Sequence, residues 1–308
     1  MFDPAIDRAA DDLKQGRLVI MPTETVYGLA ADASNAAAVA AIYQAKGRPS
    51  FNPLIAHVAD LDAARAIAVL DERAERLADA FWPGPLTIVA PIRDTSAVCD
   101  LARAGLDTVA VRVPAHPVAL ALIKAFGGAV AAPSANRSGR PSPTTLADAM
   151  DETGAFAAEG LQGGACQIGL ESTVIGLVGQ PLWLRAGGAP RERIETLIGP
   201  LGDAGADARR TPGRLVAHYA PDAPVRLNAK GPEPGEAYLS FGAGEETAPG
   251  RFSLSETGDL SQAAQRLFSL LRTADRLGPS AIAVAPIPEH DLGEAINDRL
   301  SRAAGKVG

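Results

Sequence analysis

Several polar segments of this chain carry residue types suited to binding small polar or anionic ligands. The most concentrated is KGRPSFNPLIAH, Lys46 to His57, where Lys46 and Arg48 follow a helix and Pro49 and Pro53 stiffen the loop. Asn52 and His57 add polar groups beside an apolar strand. Two cations on a rigid loop suit phosphate or carboxylate, and arginine can bind either in bidentate fashion. Basic residues complementing a helix dipole explain Lys46 and part of Arg48, but not prolines placed around an asparagine. A second segment, MPTETVYGLAAD from Met21 to Asp32, follows a strand and carries the hydroxyls of Thr23 and Thr25. Loops at the carboxyl ends of strands are where open α/β sheets bind ligands. An ordinary strand-to-helix turn, with threonine as a local backbone partner, explains this segment equally well.

In DTVAVRVP, Asp107 to Pro114, Arg112 alternates with valines. Opposite the valines it reaches solvent; beside Lys46 and Arg48 it completes a cationic pocket. The strand pattern admits both. AAPSANRSGRPSPTT, Ala131 to Thr145, gathers Ser134, Asn136, Ser138 and Ser142 with Arg137 and Arg140 ahead of a helix. Amides at a helix start, with hydroxyls and arginine, make a phosphate cradle. A polar surface loop has the same composition. Glu171, Ser172 and Thr173 stand just ahead of a strand, and Arg185 ends another before Gly187 and Gly188. Those two glycines alone read as a tight turn. In TPGRLVAHYAP, Thr211 to Pro221, His218 and Tyr219 are residues that a plain spacer does not need, and they suit a lid over a ligand.

The chain has no GxxxxGK[ST] loop, no GxGxxG fingerprint and no GxSxG elbow. Its histidines, His57, His116, His218 and His290, form no HxxxH or HxH pair, so no zinc site is expected. The polar set fits positioning and charge stabilisation of phosphates better than covalent catalysis.

Interleaved helices and strands must position these loops, which predicts an α/β class. Asp3 and Pro4 cap a helix that Gly16 ends, and Arg17 to Met21 is a strand. Asn35 caps a helix running up to Lys46. Leu54 to Val58, Leu86 to Ile92, Val109 to Val113, Ala129 to Ala132 and Thr173 to Val178 read as strands. Asp71 to Phe81, His116 to Phe126, Thr144 to Met150 and a segment starting at Pro190 read as helices. Residues 201–223 form an irregular connection between a unit over 1–200 and a smaller one over 224–308. The smaller unit carries strands at Val225 to Leu227, Glu236 to Phe241 and Ala281 to Ala285. Its helices span Leu260 to Arg276 and Leu292 to Ala304, and a small, mostly parallel sheet is expected.

With 308 residues, 47% of them hydrophobic, the chain can bury a sizeable core. A net charge of −7 argues against a broad electrostatic grip on nucleic acid, though not against a local basic patch. Cys99 and Cys166 have no metal-ligand spacing, so a reducing cytoplasm is the expected setting. The acidic start lacks a signal-peptide pattern, and no stretch of about 20 apolar residues predicts a membrane span.

Together the segments PTETVYGL, KGRPSFNPLIAH, FWPGPLTIV, VAVRVP, APSANRSGRPSPT, ESTVI, LRAGG and HYAP, in that order, resemble the threonylcarbamoyl-AMP synthase family in its two-domain form. The carboxyl-terminal LSQAAQRLFSLLRTAD and AINDRLSRAA resemble its accessory domain. The resemblance implies a YrdC-like twisted mixed sheet with helices, plus a small Rossmann-like α/β domain. It implies that threonine's amine takes up carbon dioxide or bicarbonate as a carbamate, which attacks the α-phosphate of ATP and expels pyrophosphate. Mg2+ would accompany the ATP. By position, Thr25, His57, Arg112, Ala132 and Ser172 match threonine-binding sites, Ala132 through its backbone alone. Lys46, Arg48, Asn52, Thr108, Ser134, Ser142, Arg185 and Tyr219 match nucleotide sites, with Lys46 and Arg48 offsetting phosphate charge as the catalytic pair. Downstream partners are the proteins that transfer threonylcarbamoyl to tRNA, with a weak tRNA contact by the chain itself. Arg214 to Ala217, ahead of HYAP, is less polar than the family pattern. Two other readings compete. An RNA- or nucleotide-binding regulator on the same domain is opposed by the acidic charge and the lack of an aromatic stacking platform. A carbamoyltransferase of the kind that carries several CxxC pairs is opposed by the two cysteines.

Overall fold

A computed structural model describes residues 3–49, 51–203, 219–243 and 248–305. The first unit begins with α1 (Pro4–Lys14), whose start is capped by Asp3 Oδ1 accepting from the Ala5 amide at 3.0 Å. Then come β1 (Leu18–Met21), β2 (Gly28–Asp32) and α2 (Ala36–Lys46), capped by Asn35 as expected. β3 (Ile55–His57), α3 (Leu61–Ile67), α4 (Glu72–Phe81), β4 (Leu86–Pro91), α5 (Asp100–Arg103), β5 (Thr108–Arg112), α6 (Pro117–Phe126) and β6 (Val130–Ala131) follow. The unit continues with α7 (Leu146–Thr153), β7 (Ala157–Gly160), β8 (Thr173–Gly176), β9 (Leu182–Arg185), α8 (Arg191–Ile198) and β10 (Gly202–Asp203). Residues 204–218, most of the expected connection and including Arg214 to His218, lie outside the described residues.

Among the described residues the first sheet has ten strands in the order β10-β9-β8-β4-β5-β3-β6-β2-β1-β7. It is mixed: β3 and β5 run parallel, while β6 runs antiparallel to β3. The segment from Met21 to Asp32 is not a strand-to-helix turn, because Gly28–Asp32 pairs back on β1 as a hairpin, with Met21 opposite Gly28. The loop bearing Thr23 and Thr25 is therefore held at both ends by the ladder. Helices α1 and α6 cover one face through Ala9, Leu13, Leu122 and Ile123, packed on Val19, Ala30 and Val130. Helix α2 covers the other with Val39 and Ile42.

The second unit holds β11 (Val225–Arg226), β12 (Ala237–Phe241), β13 (Arg251–Ser255), α9 (Leu260–Asp275), β14 (Ile282–Val284) and α10 (Leu292–Ala303). Its strands lie in the order β11-β14-β12-β13, every pairing parallel, as the βα alternation predicted. The two units share one contiguous apolar core, in which Leu170, Ile194 and Leu201 of the first join Phe268, Leu271 and Ile296 of the second. Gly169 shows how close they come: a Cβ there would lie 2.5 Å from Gln265 Cα on α9, so only glycine fits. Buried ion pairs cross the same seam: Arg272 to Glu152 at 3.0 Å and Arg299 to Glu171 at 2.9 Å. No helix among the described residues is long and apolar enough to cross a membrane.

Candidate active site

A cleft of about 510 Å³, counted to its mouth, opens where the ends of β3, β5 and β9 meet the starts of β8 and the loop after β6. Its walls include Thr25, Arg48, His57, Arg112, Ala132, Ser134, Glu171, Ser172, Arg185 and Tyr219. The strand ladder explains why residues so distant in sequence converge. His57 and Arg112 are register partners on adjacent parallel strands. Ala132 follows β6, and its amide donates to the Ile55 carbonyl at 3.2 Å. β9 runs antiparallel to β8, which sets Arg185 opposite Val174 and beside Ser172. Arg185 Nη2 donates to the Ser172 carbonyl at 2.7 Å and to Ser172 Oγ at 3.1 Å.

Arg112 is buried, so the solvent-facing option fails. Its Nε donates to the Gly84 carbonyl at 3.0 Å and its Nη2 to Glu24 Oε1 at 2.6 Å. Glu24 Oε2 accepts in turn from the Ala115 amide at 3.0 Å. The guanidinium is thus aimed by two fixed acceptors, and its Nη1 takes no part in those bonds. His57 is 2% exposed, and its Nδ1 is buried without a hydrogen-bond partner. Burial, and then the charge of Arg112, hold its pKa down at about 3, so the ring is neutral at physiological pH. A neutral imidazole beside a fixed cation can exchange hydrogen bonds with a substrate without adding charge. Thr25 Oγ1 shares a 2.7 Å hydrogen bond with Thr23, and Ser172 Oγ another of 2.7 Å with Thr87.

The basic loop divides in a way its sequence did not suggest. Arg48 lines the cleft, with long contacts of 3.4 Å to the carbonyls of Asn52 and Pro53. Lys46 does not line it. Its Nζ donates to the carbonyls of Ser134 and Asn136, and it is 3% exposed. Gly47 separates the two cations in the left-handed region at φ 57°, which turns Lys46 inward and Arg48 toward the cleft. Lys46 therefore fixes the loop that carries Ser134 instead of facing the cavity as expected. Burial, and then Arg48, push its ammonium well below the ordinary lysine range. Asn52, Thr108 and Ser142 also lie off the cleft wall. Asn52 is buried with its Oδ1 unpartnered, and Thr108 opens β5 at the end away from Arg112. Ser142 donates to Glu171 Oε1 at 2.5 Å.

Two groups carry weight that the sequence reading did not give them. Glu171 lines the cleft as a carboxylate. Burial raises its pKa, but Arg299 and Arg185, with the Ser142 hydroxyl, overcome that and hold it at about 2. Arg299 comes from the second unit and is wholly buried. A helical reading contains its signal: on α10 it falls on the buried face with Ala295, Ile296 and Leu300, where a charge needs a partner. Gly187 also gains a role beyond a turn, because a Cβ there would sit 2.4 Å from the Glu171 carbonyl oxygen and the Thr173 amide.

Residues 11–187 match the family described as Telomere recombination (Sua5_yciO_yrdC), and residues 189–305 match Threonylcarbamoyl-AMP synthase, C-terminal domain. The threonylcarbamoyl-AMP synthase of Pyrococcus abyssi is 41% identical over 96% of this chain and 93% of its own length. That of Bacillus subtilis is 39% identical over 98% of this chain and 94% of its own. A crystal structure of P. abyssi Sua5 complexed with L-threonine superposes with a TM-score of 0.90 at 40% identity, covering 98% of this chain and 94% of that one. Family matches across both units, and relatives of this identity over nearly the full length, place the chain in the threonylcarbamoyl-AMP synthase family as one of its enzymes.

Proposed function

We propose that this enzyme is a cytoplasmic nucleotidyltransferase joining L-threonine, bicarbonate and the adenylyl group of ATP into threonylcarbamoyl-AMP. The observation that carries the reading is one cleft holding two different polar sets. His57 and Arg112, with Thr25 and Ser172, suit an amino acid: Arg112 pairs the carboxylate, and neutral His57 and the hydroxyls receive the amine and side-chain hydroxyl. Arg48, Ser134, Arg185 and Tyr219 suit a nucleotide, two cations meeting phosphates and an aromatic ring meeting a base or ribose. A relative solved with L-threonine supports threonine as the amino acid.

In the proposed reaction the threonine nitrogen bonds to the carbon of carbon dioxide and loses a proton, giving a carbamate; from bicarbonate, a carbon–oxygen bond also breaks and water leaves. A carbamate oxygen then bonds to the α-phosphorus as the bridge to the β-phosphate breaks, and pyrophosphate leaves with that electron pair. The protein's part is to hold carbamate and α-phosphate within near-attack distance and to offset phosphate charge. Arg48 and Arg185 do the second directly. Lys46 acts by holding the Ser134 loop, and Ser142 by its bond to Glu171. Mg2+ would arrive on the ATP phosphates, since Glu171, a carboxylate at the cleft, is already bound by Ser142 and Arg299. The product would serve proteins that modify tRNA.

The test is direct. Incubated with ATP, Mg2+, bicarbonate and threonine, the enzyme should release pyrophosphate and form the adenylate, with neither product when threonine is omitted. Pyrophosphate release independent of threonine sinks the reading, and no release under any condition is the result a nucleotide-binding regulator would give. Serine in place of threonine should react less well by the worth of one methyl, about 1–3 kcal/mol.

A further inference from the structure

Arg299 is fully buried and belongs to α10, yet it reaches Glu171 and Tyr219 of the cleft. Nε donates to Glu171 Oε2 at 2.9 Å, Nη2 to the Ala186 carbonyl at 2.8 Å and Nη1 to Asp298 Oδ2 at 2.6 Å. The same group lies 5.2 Å from the centre of the Tyr219 ring. Phe268 of α9 stacks on that ring with centroids 5.4 Å apart. Tyr219 and Glu171 both line the cleft. One cation of the second unit therefore grips a carboxylate and an aromatic ring of the site, and a second side chain from that unit braces the ring.

Adhesion alone does not call for this arrangement. A buried ion pair is weak evidence for stability, because apolar residues of similar volume often serve as well. What an arginine adds is direction: a planar fork with fixed hydrogen-bond vectors and a face for an aromatic ring. Here one vector ends on Glu171 at the cleft wall, one on the Ala186 carbonyl in the strand-to-helix turn behind it, and the third on Asp298 of α10 itself, which holds the fork in place. We infer that Arg299 is a positioning residue for the nucleotide part of the site, fixing the Glu171 carboxylate and the Tyr219 ring together, so that docking of the second unit and nucleotide binding are coupled. This rests on the reading that ATP occupies the Arg48, Arg185 and Tyr219 part of the cleft. Coupling is reciprocal, so bound nucleotide also tightens the docking of the second unit.

The charge pattern gives a readout that a merely structural role would not move. Glu171 is faced by Arg299 from α10, Arg185 from β9, Lys46 from α2, and the Ser142 hydroxyl and Tyr219 ring; Asp298 shares Arg299 and also holds Arg302. Arg299 is the strongest attraction opposing the burial of Glu171. Its loss moves Glu171 titration upward, toward the assay range.

The experiment uses the full chain with Arg299→Met, Arg299→Lys and the double variant Arg299→Met with Glu171→Gln. In Arg299→Met the KM for ATP should rise about tenfold, as coupling networks of this kind allow, with the threonine KM changed by less than about twofold. Turnover should also gain an acid limb, falling as pH is lowered where the parent is flat. The double variant should lose that limb. Arg299→Lys keeps the charge but loses the fork, so its profile stays flat while the ATP KM takes an intermediate value. If Arg299→Met does not fold, Arg299→Lys carries the test through its ATP affinity, read by calorimetry with a non-hydrolysable ATP analogue. Parental ATP affinity and a flat pH profile in every folded variant, with only the thermal midpoint lowered, would overturn the inference. A parent enzyme without threonine-dependent pyrophosphate release sinks the functional reading instead, and the calorimetric comparison still decides the role of Arg299.

Discussion

The two ends of the cleft are built on different principles. At one end His57 and Arg112 face each other across a parallel strand pair, and Glu24, Gly84 and Ala115 of the same unit fix the arginine. At the other end Glu171 and Tyr219 are held by Arg299 and Phe268, which belong to the second unit. The first end inherits the rigidity of a hydrogen-bonded sheet. The second depends on side chains meeting across a seam, and such a seam can loosen without unfolding either sheet. An amino-acid pocket that must reward one methyl benefits from the first construction. A site that admits a bulky triphosphate and releases pyrophosphate benefits from the second.

The hardest blow to the sheet-built end is Arg112→Ala. It strands Glu24, 5% exposed in its side chain, without its cation. Breaking a buried pair this way costs about 3–5 kcal/mol in stability, read by chemical denaturation. Threonine affinity should fall at least about 30-fold while ATP affinity stays within about twofold, each measured by calorimetry. Equal loss of both would erase the distinction between the ends. Adding Glu24→Gln should recover part of the stability and none of the threonine affinity.

The seam-built end is broken without touching a cleft residue by Gly169→Ala. A Cβ there meets Gln265 Cα at 2.5 Å and the Ala264 carbonyl oxygen at 2.6 Å, in a backbone of φ +76°. Helix α9 must back away, taking Phe268 off Tyr219. The cost is about 1–3 kcal/mol by analogy with overpacked cores. The kinetic signature should be the reverse of Arg112→Ala: a raised ATP KM with the threonine KM nearly unchanged. A threonine KM that rises equally would show that the sheet-built end also leans on the second unit.

Protonation sharpens the contrast. The folded-state pKa of His57 is about 3 against an ordinary 6.5, so between those values the unfolded chain binds the extra proton. Stability is therefore full above about pH 6.5 and falls as pH drops toward 3, by about 2 kcal/mol on reaching pH 5. Glu171, also depressed, contributes stability above its ordinary 4.5 and loses it as pH falls toward about 2. The sheet-built end should thus weaken first on acidification. His57→Gln should flatten the upper limb of the stability profile and leave the lower one. An upper limb that survives in His57→Gln assigns it elsewhere.

Much of this framework could be read from the chain. Caps and periodicity gave α1, α2, α9 and α10 within a residue or two, because Asp3, Asn35 and an apolar stripe act locally. β2 was hidden because GLAAD has no β-branched residue, and its identity comes from pairing on β1. β13, RFSLS, was hidden because only Leu254 and Ser255 are buried on that edge strand. The pairing of His57 with Arg112 was within reach, since both end apolar strand runs. The divergence of Lys46 from Arg48 was not, because it turns on Gly47 adopting a left-handed φ. Nor was the bond from Arg299 to Glu171, made across 128 residues. A charge placed on the buried face of α10, among Ala295, Ile296 and Leu300, was its local trace.

The smallest effect asked of this comparison concerns Arg276, which also crosses the seam. It pairs with Asp148 at 2.7 Å, but its side chain is 57% exposed. Arg272, one turn earlier, bonds Glu152 at 3.0 Å from a site 7% exposed and also donates to the Pro141 carbonyl. An exposed pair is screened and must order two long side chains, so Arg276→Ala should cost less than about 1 kcal/mol. Arg272→Ala leaves Glu152 and a carbonyl short of a donor in a dry interface, and should cost several times more. The two variants carry the same charge change one turn apart, on α9 and at its C-cap, so a difference between them isolates burial. Thermal unfolding and the ATP KM of both, measured at low and high salt, test it. If Arg276→Ala matches Arg272→Ala, or if both effects vanish at high salt, the seam is a diffuse charge match, and Arg299 and Phe268 do not hold the site as discrete braces.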